Sequence, residues 1–246
     1  MIQRISGFIT DIVRHNDRFN VVTLYTRQRG RMAFMVPVGK SKAGRLRNSS
    51  VLPMAVISAD INFREGKELY TLRQLSPERL WHDIYSNPLK SSILFFITEF
   101  CNRLLRQYPP DEKLWAFITG ALEFLEKAPS SLIANFHLAF LVRLAPIVGI
   151  EPSAVRWERG DLFDMLSGEM VAGIDSGFLS RRLLITERES SAVPSLLRMN
   201  FRNMHFFRFN REQRNKTLDR ILEYYSVHLS ISRDYKSLDV LREMFD

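Results

Sequence analysis

Apolar and polar side chains alternate over roughly the first 75 residues, then switch to helical spacing for the rest of the chain. In the first part, Gly7-Phe8-Ile9-Thr10-Asp11-Ile12-Val13 is a strand candidate, and His15-Asn16-Asp17 is a turn cluster. Residues 19–26 and 32–36 are rich in β-branched and aromatic types and predict two more strands. Between them, Arg27-Gln28-Arg29-Gly30-Arg31 predicts a hairpin turn, with Gly30 where a positive φ is needed. Residues 39–50 predict a loop, residues 51–61 a fourth strand with Pro53 near its start, and residues 69–75 a fifth. Short antiparallel strands with little helix between them predict a small closed or nearly closed barrel.

From Ser76-Pro77-Glu78, which carries a helix-start pattern, the period becomes helical. Helices are expected over 89–107, 112–127, 132–144 and 190–204, then over a segment capped by Asn210 and a short closing one at 236–245. The expected class is α+β, all-β then all-α, with domains 1–75 and 76–246 and short hairpin pieces near 150–182. Phe95, Phe96, Phe100, Phe117, Phe124, Phe136 and Phe140 stand at helical spacing and are expected in the helical core. The apolar stretch 132–150 contains Asn135, His137, Arg143 and Pro146, which predicts a buried helix rather than a membrane span.

Charge changes the picture. The chain carries 35 Lys and Arg against 27 Asp and Glu, a net +8. Eight of the basic residues, Arg18, Arg27, Arg29, Arg31, Lys40, Lys42, Arg45 and Arg47, fall in one stretch with no acid between Asp17 and Asp60. That stretch accounts for the whole net charge. Surface arginines often only solvate a face, but a basic hairpin followed by a basic loop is the footprint of a polyanion site. The expected nucleic-acid contacts are Arg27, Arg29, Arg31, Lys40, Lys42, Arg45 and Arg47. Tyr25 and Phe34, on the flanking strands, are candidates either for base stacking or for the core.

Other chemistry is sparse. Gly39-Lys40-Ser41 resembles the end of a phosphate-binding loop, but Phe34 stands where its first glycine belongs. The histidines His15, His82, His137, His205 and His228 show no metal-ligand spacing, and His137 sits among apolar residues. Asp161, Asp164 and Glu169 lie in a glycine-rich setting and read as solvated turn residues rather than a metal cluster. The single cysteine, Cys101, excludes an intrachain disulfide and reads as a buried thiol. No catalytic residue, cofactor or metal is expected, and residues 1–11 lack the apolar core of a signal peptide.

The chain resembles the bacterial recombination mediator family RecO over essentially its full length. At the N-terminus the resemblance rests on Gly7-Phe8-Ile9 to Val13, Leu24-Tyr25-Thr26, Gly30-Arg31, and Gly39-Lys40-Ser41-Lys42 through Leu46-Arg47 to Pro53. At the C-terminus it rests on Tyr224-Tyr225 with His228-Leu229, and on Lys236-Ser237-Leu238 with Leu241-Arg242 and Met244-Phe245. The resemblance implies an oligonucleotide-binding (OB) barrel followed by a helical domain. It implies a non-enzymatic role in recombinational repair through the RecFOR pathway. Such proteins bind single- and double-stranded DNA, anneal complementary strands and, with RecR, help load RecA on DNA coated by single-strand binding protein (SSB). A cytoplasmic, nucleoid-associated protein with no membrane partner is implied.

Many members of that family carry a four-cysteine zinc ribbon in the region matching 149–177. This chain has no cysteine there, so a metal-free hairpin is expected. The SSB tail is acidic with apolar terminal residues, which calls for an apolar groove beside basic residues. Arg103 and Arg106 on one helix, and Arg143 at the end of another, are the expected contacts. The rival readings are another OB-type nucleic-acid module, RNA-binding or transcriptional, and a metal-dependent nuclease.

Overall fold

The computed structural model describes residues 2–39, 49–154, 156–172 and 183–245, with only the backbone of 73 and 74. Six strands form the first sheet: β1 (Ile2–Arg14), β2 (Phe19–Thr26), β3 (Gly30–Pro37), β4 (Val56–Asn62), β5 (Leu69–Thr71) and β6 (Arg73–Arg79). Their order is β5-β3-β2-β1-β4-β6, antiparallel except for the parallel β3–β5 pair. The long β1 pairs with β2 on one side and β4 on the other, and a bulge between Ile9 and Asp11 bends it. The result is OB-like but open. Among the described residues no strand pairing joins β5 to β6, so of the expected closed or nearly closed barrel the fully closed form is not seen.

Alternation along the strands separates two faces. Ile5, Ile9, Val22, Leu24, Phe34, Val36, Ile57 and Ile61 fill the inner core. Phe8 and Tyr25 point the other way, and Phe8 lies 5.3 Å from Trp115 and 5.4 Å from Tyr25 between ring centroids.

The helices are α1 (His82–Ser86), α2 (Pro88–Leu104), α3 (Glu112–Lys127), α4 (Phe136–Leu144), α5 (Glu187–Leu197), α6 (Arg211–Leu229) and α7 (Ser237–Met244). Ser76-Pro77-Glu78 does not start a helix. It lies in β6, an edge strand paired only with β4, where a proline costs no ladder bond to a second neighbour. The helical chain begins in earnest at Asn87, whose side chain accepts from the amides of Leu89 and Lys90, with Pro88 at the first helical position. The expected helix at 190–204 ends at Leu197, and a 3₁₀ turn follows at Met204–Phe206.

By their internal contacts the residues form two compact units. One runs to Lys127 and also contains Tyr235–Met244; the other is Ala128–Asp234 with Phe245. In the first, α7 packs on α2, and Glu99 accepts hydrogen bonds from the amides of Lys236 and Ser237. Phe96 and Phe100 are fully buried there, but Phe95 is 50% exposed, so one ring of the expected aromatic core faces solvent. Burial pushes the Cys101 thiol well above its ordinary range, as expected of an inert core cysteine.

In the second unit, β7 (Asp161–Asp164) and β8 (Glu169–Ala172) form a two-stranded hairpin. Asp164 is not a solvated turn residue. It is buried, and its carboxylate accepts from the amides of Leu166 and Leu183 and from the Ser167 hydroxyl. Ser190 Oγ accepts from the Phe163 amide at 2.8 Å, tying α5 to the hairpin. The donor set of a four-cysteine ribbon does not exist in this chain, since Cys101 is its only cysteine and lies in α2. Buried His137 is held neutral, its pKa lowered to about 3 by burial and then by the Arg214 charge. Among the described residues no helix is long and apolar enough to cross a membrane.

Candidate nucleic-acid interface

The β2–β3 hairpin is built by its own sequence. Thr26 pairs with Gly30, leaving Arg27, Gln28 and Arg29 as the loop. The Thr26 hydroxyl donates to the Gly30 carbonyl at 2.8 Å and accepts from the Arg29 amide. Gly30 takes a φ of 66°, the left-handed conformation that closes a three-residue hairpin. The Gln28 side chain accepts from the Ser6 amide, and the Arg27 amide donates to the Ser6 carbonyl, so the tip is also fastened to β1.

A second segment of the same unit supports the tip. A Cβ on Gly30 would lie 3.1 Å from the Tyr108 carbonyl oxygen and 3.3 Å from the Pro110 nitrogen. Tyr25 donates its hydroxyl to the Pro109 carbonyl at 2.8 Å and accepts from the Asp111 amide at 3.0 Å. Burial raises that phenol to about 12. Tyr25 and Phe34 are both fully buried, Tyr25 beneath the tip and Phe34 in the inner core. Neither ring can stack on a base, and that expectation is corrected: strand position and burial, not nearness to the arginines, decide where an aromatic ring points.

The three hairpin arginines differ. Arg27 Nε donates to Glu112 at 2.7 Å, and that hydrogen bond and charge raise its pKa. Arg29 lies 3.6 Å over the Phe63 ring and donates to Gln3 Oε1 at 2.9 Å, contacts that hold the guanidinium without neutralising it. Arg31 is half-buried and reaches Asn102 Oδ1 at 3.4 Å. Its pKa is lowered by burial first and then by the charge of Arg106, with Asp11 offsetting part of this. Among the described residues Arg29 and Arg31 form no ion pair, so the tip, together with exposed Arg106, presents positive charge that Asp11 offsets only in part. Lys40, Lys42, Arg45 and Arg47 lie outside the described residues.

The expected SSB-tail arginines fall in both units and differ in their partners. Arg103 is ion-paired with Glu99 at 2.8 Å and lies 4.2 Å over the Tyr235 ring. Arg106 is an electrostatic neighbour of Arg31, and exposed Arg143 belongs to the other unit. Sequence reasoning missed the Glu112, Phe63 and Tyr108–Asp111 supports because all are remote along the chain. Pro109-Pro110, between the expected helices 89–107 and 112–127, marks a break in the chain but not its partner.

Gly30 gives a direct check on this geometry. Gly30→Val is expected to destabilise the first unit by about 1–3 kcal/mol from the left-handed backbone alone, before the Tyr108 contact is counted. Chemical denaturation measures it. Gly30→Asn, which tolerates that conformation better, should cost less. Equal stability of wild type and the valine variant would contradict the tip geometry.

An open OB-like sheet bearing a basic hairpin, with largely helical structure in the other described residues, is an arrangement found among nucleic-acid-binding modules. Residues 1–81 match the family described as Recombination protein O N terminal, and residues 85–239 match Recombination protein O C terminal. The DNA repair protein RecO of Bacteroides fragilis is 32% identical over 249 residues, and that of Phocaeicola vulgatus 32% over 247, each match covering both chains in full. The DNA repair protein RecO of Christiangramia forsetii is 26% identical over 246 residues, again across both full lengths. The chain belongs to the RecO family of DNA repair and recombination proteins.

Proposed function

We propose that this protein is a non-enzymatic recombination mediator that binds single- and double-stranded DNA and anneals complementary strands. With RecR it helps load RecA on SSB-coated DNA, working in the cytoplasm at the nucleoid. The observation that carries the reading is the β2–β3 tip of an OB-like sheet, where Arg29 and Arg31, with Arg106 near Arg31, carry positive charge that Asp11 offsets only in part. Such charge binds the phosphate backbone irrespective of sequence, which suits a protein that handles any broken strand.

The basic loop with Lys40, Lys42, Arg45 and Arg47 extends this contact in the proposal. Arg27 takes part by exchanging Glu112 for phosphate, since its ion pair is exposed and weakly held. Contact with the acidic SSB tail is assigned to the helical residues. Arg143, exposed at the end of the apolar helix α4, is the best placed of the three arginines, because Arg103 is already committed.

Strand annealing on SSB-coated complementary DNA tests the proposal. The protein should speed annealing well above the spontaneous rate and leave labelled DNA intact with magnesium or manganese. Binding without faster annealing would refute the mediator reading, and cleavage would favour a nuclease.

A further inference from the structure

The second unit carries an aromatic residue that packing does not explain. Phe206 is 73% exposed, more than any other large apolar side chain among the described residues. It is not on a loose loop. The Asn135 side chain, buried, donates to the carbonyls of Met204 at 3.0 Å and Phe207 at 2.7 Å, bracketing His205 and Phe206 on both sides. Arg214 in turn donates to Asn135 Oδ1 at 3.1 Å and to the Phe209 carbonyl at 3.0 Å. Upstream, Asn200 and Asn203 close the turn by bonds to the Arg198 carbonyl. His205 lies against Phe206 with ring centroids 4.0 Å apart. A buried polar network thus props one phenylalanine out into solvent.

The surroundings are basic. No acidic residue occurs between Glu189 and Glu212, while Arg198, Arg202, Arg208 and Arg211 do. Arg198, Arg202, His205 and Arg208 are exposed. Glu189 at one boundary is committed to Arg220 and Lys216, which leaves exposed Glu212 as the acid at the other.

We propose that the turn over residues 199–210 is a second contact for single-stranded nucleic acid, in which Phe206 stacks on an unpaired base and Arg202 and Arg208 bind the flanking phosphates. Phe207 and Phe209 are half-buried, so a single ring projects. That fits one base face better than the broad apolar patch of a protein interface. The inference rests on the DNA-binding reading above and deepens it. With a basic hairpin on one unit and a stacking ring on the other, one chain has contacts for two strands, which annealing requires.

The test uses the full chain, a labelled single-stranded oligonucleotide and a duplex control in fluorescence anisotropy. Phe206→Ala should weaken single-strand binding about tenfold, the order of one stacked base, and leave duplex binding nearly unchanged. Phe206→Tyr, which keeps the ring, should retain wild-type affinity. Arg202→Gln with Arg208→Gln should flatten the log–log salt slope by roughly 1.4, from ~0.7 per phosphate contact. Circular dichroism melts should not move, because these side chains are exposed. Wild-type single-strand affinity and slope in both the Phe206→Ala and arginine variants would overturn this site while leaving the hairpin contact standing. Equal losses in the alanine and tyrosine variants, or equal losses on duplex, would overturn stacking. A wild-type chain that binds neither DNA would overturn the DNA reading itself.

Discussion

Asn135→Ala should destabilise the second unit by about 3 kcal/mol, because each buried polar group left without a partner costs roughly 1–3 kcal/mol. The carboxamide satisfies two carbonyls, of Met204 and Phe207, and accepts from Arg214. Arg214 is itself half-buried, its pKa lowered by burial, and also donates to the carbonyls of Phe209 and Phe245. Truncating Asn135 therefore strands acceptors on one side and a guanidinium donor on the other. Asn135→Leu should be no better, since it restores volume but no hydrogen bond.

Urea denaturation followed by circular dichroism measures the loss. A double-mutant cycle with Arg214→Met should show coupling of about 0.5–3 kcal/mol, as for residues sharing one network. The same variant should also weaken single-strand binding through misplacement of Phe206, whereas Phe206→Ala leaves stability untouched. A loss within about 0.5 kcal/mol, the range of ordinary surface changes, would contradict the clamp.

Local chemistry made much of this fold legible. The β2–β3 hairpin could be placed from alternation and Gly30, and α3 from the spacing of Leu114, Ile118, Ala121, Leu122 and Leu125. The start of α6 was visible in Asn210, which forms a capping box with Gln213. Signals failed where a distant partner decides the outcome. Ser76-Pro77-Glu78 carries a helix-start pattern, yet β4 recruits it as an edge strand. Asp164 looks like a turn acid, but amides of Leu166 and of Leu183, far along the chain, bury its carboxylate.

The same holds for the candidate sites. Tyr25 and Phe34 sit next to the arginines in sequence, but their hydroxyl partner and core neighbours come from remote segments. Arg27 finds Glu112 85 residues away. The arginines around Phe206 could be read from the chain, whereas the prominence of that ring could not. It depends on Asn135 reaching 69 and 72 residues forward, and no local period reveals such a bond.

The largest binding effect is expected from the basic stretch. Replacing Arg29, Arg31, Lys40, Lys42, Arg45 and Arg47 together with glutamine removes six charges and should weaken DNA binding for all sequences alike, because phosphate contacts carry no base information. Stability should change little at Arg29, whose side chain is exposed, and modestly at half-buried Arg31. Arg27 is left in place because its charge is already shared with Glu112.

The direct measurement is a salt titration of fluorescence anisotropy on single-stranded DNA, for wild type and this variant, with circular dichroism confirming that both are folded. If about four of these side chains meet phosphates, they contribute roughly −3 to the wild-type log–log slope, from ~0.7 per contact, and the variant's slope should be flatter by about that amount at far lower affinity. A folded variant with the wild-type slope and affinity would contradict the assignment of DNA binding to the β2–β3 hairpin and its basic loop.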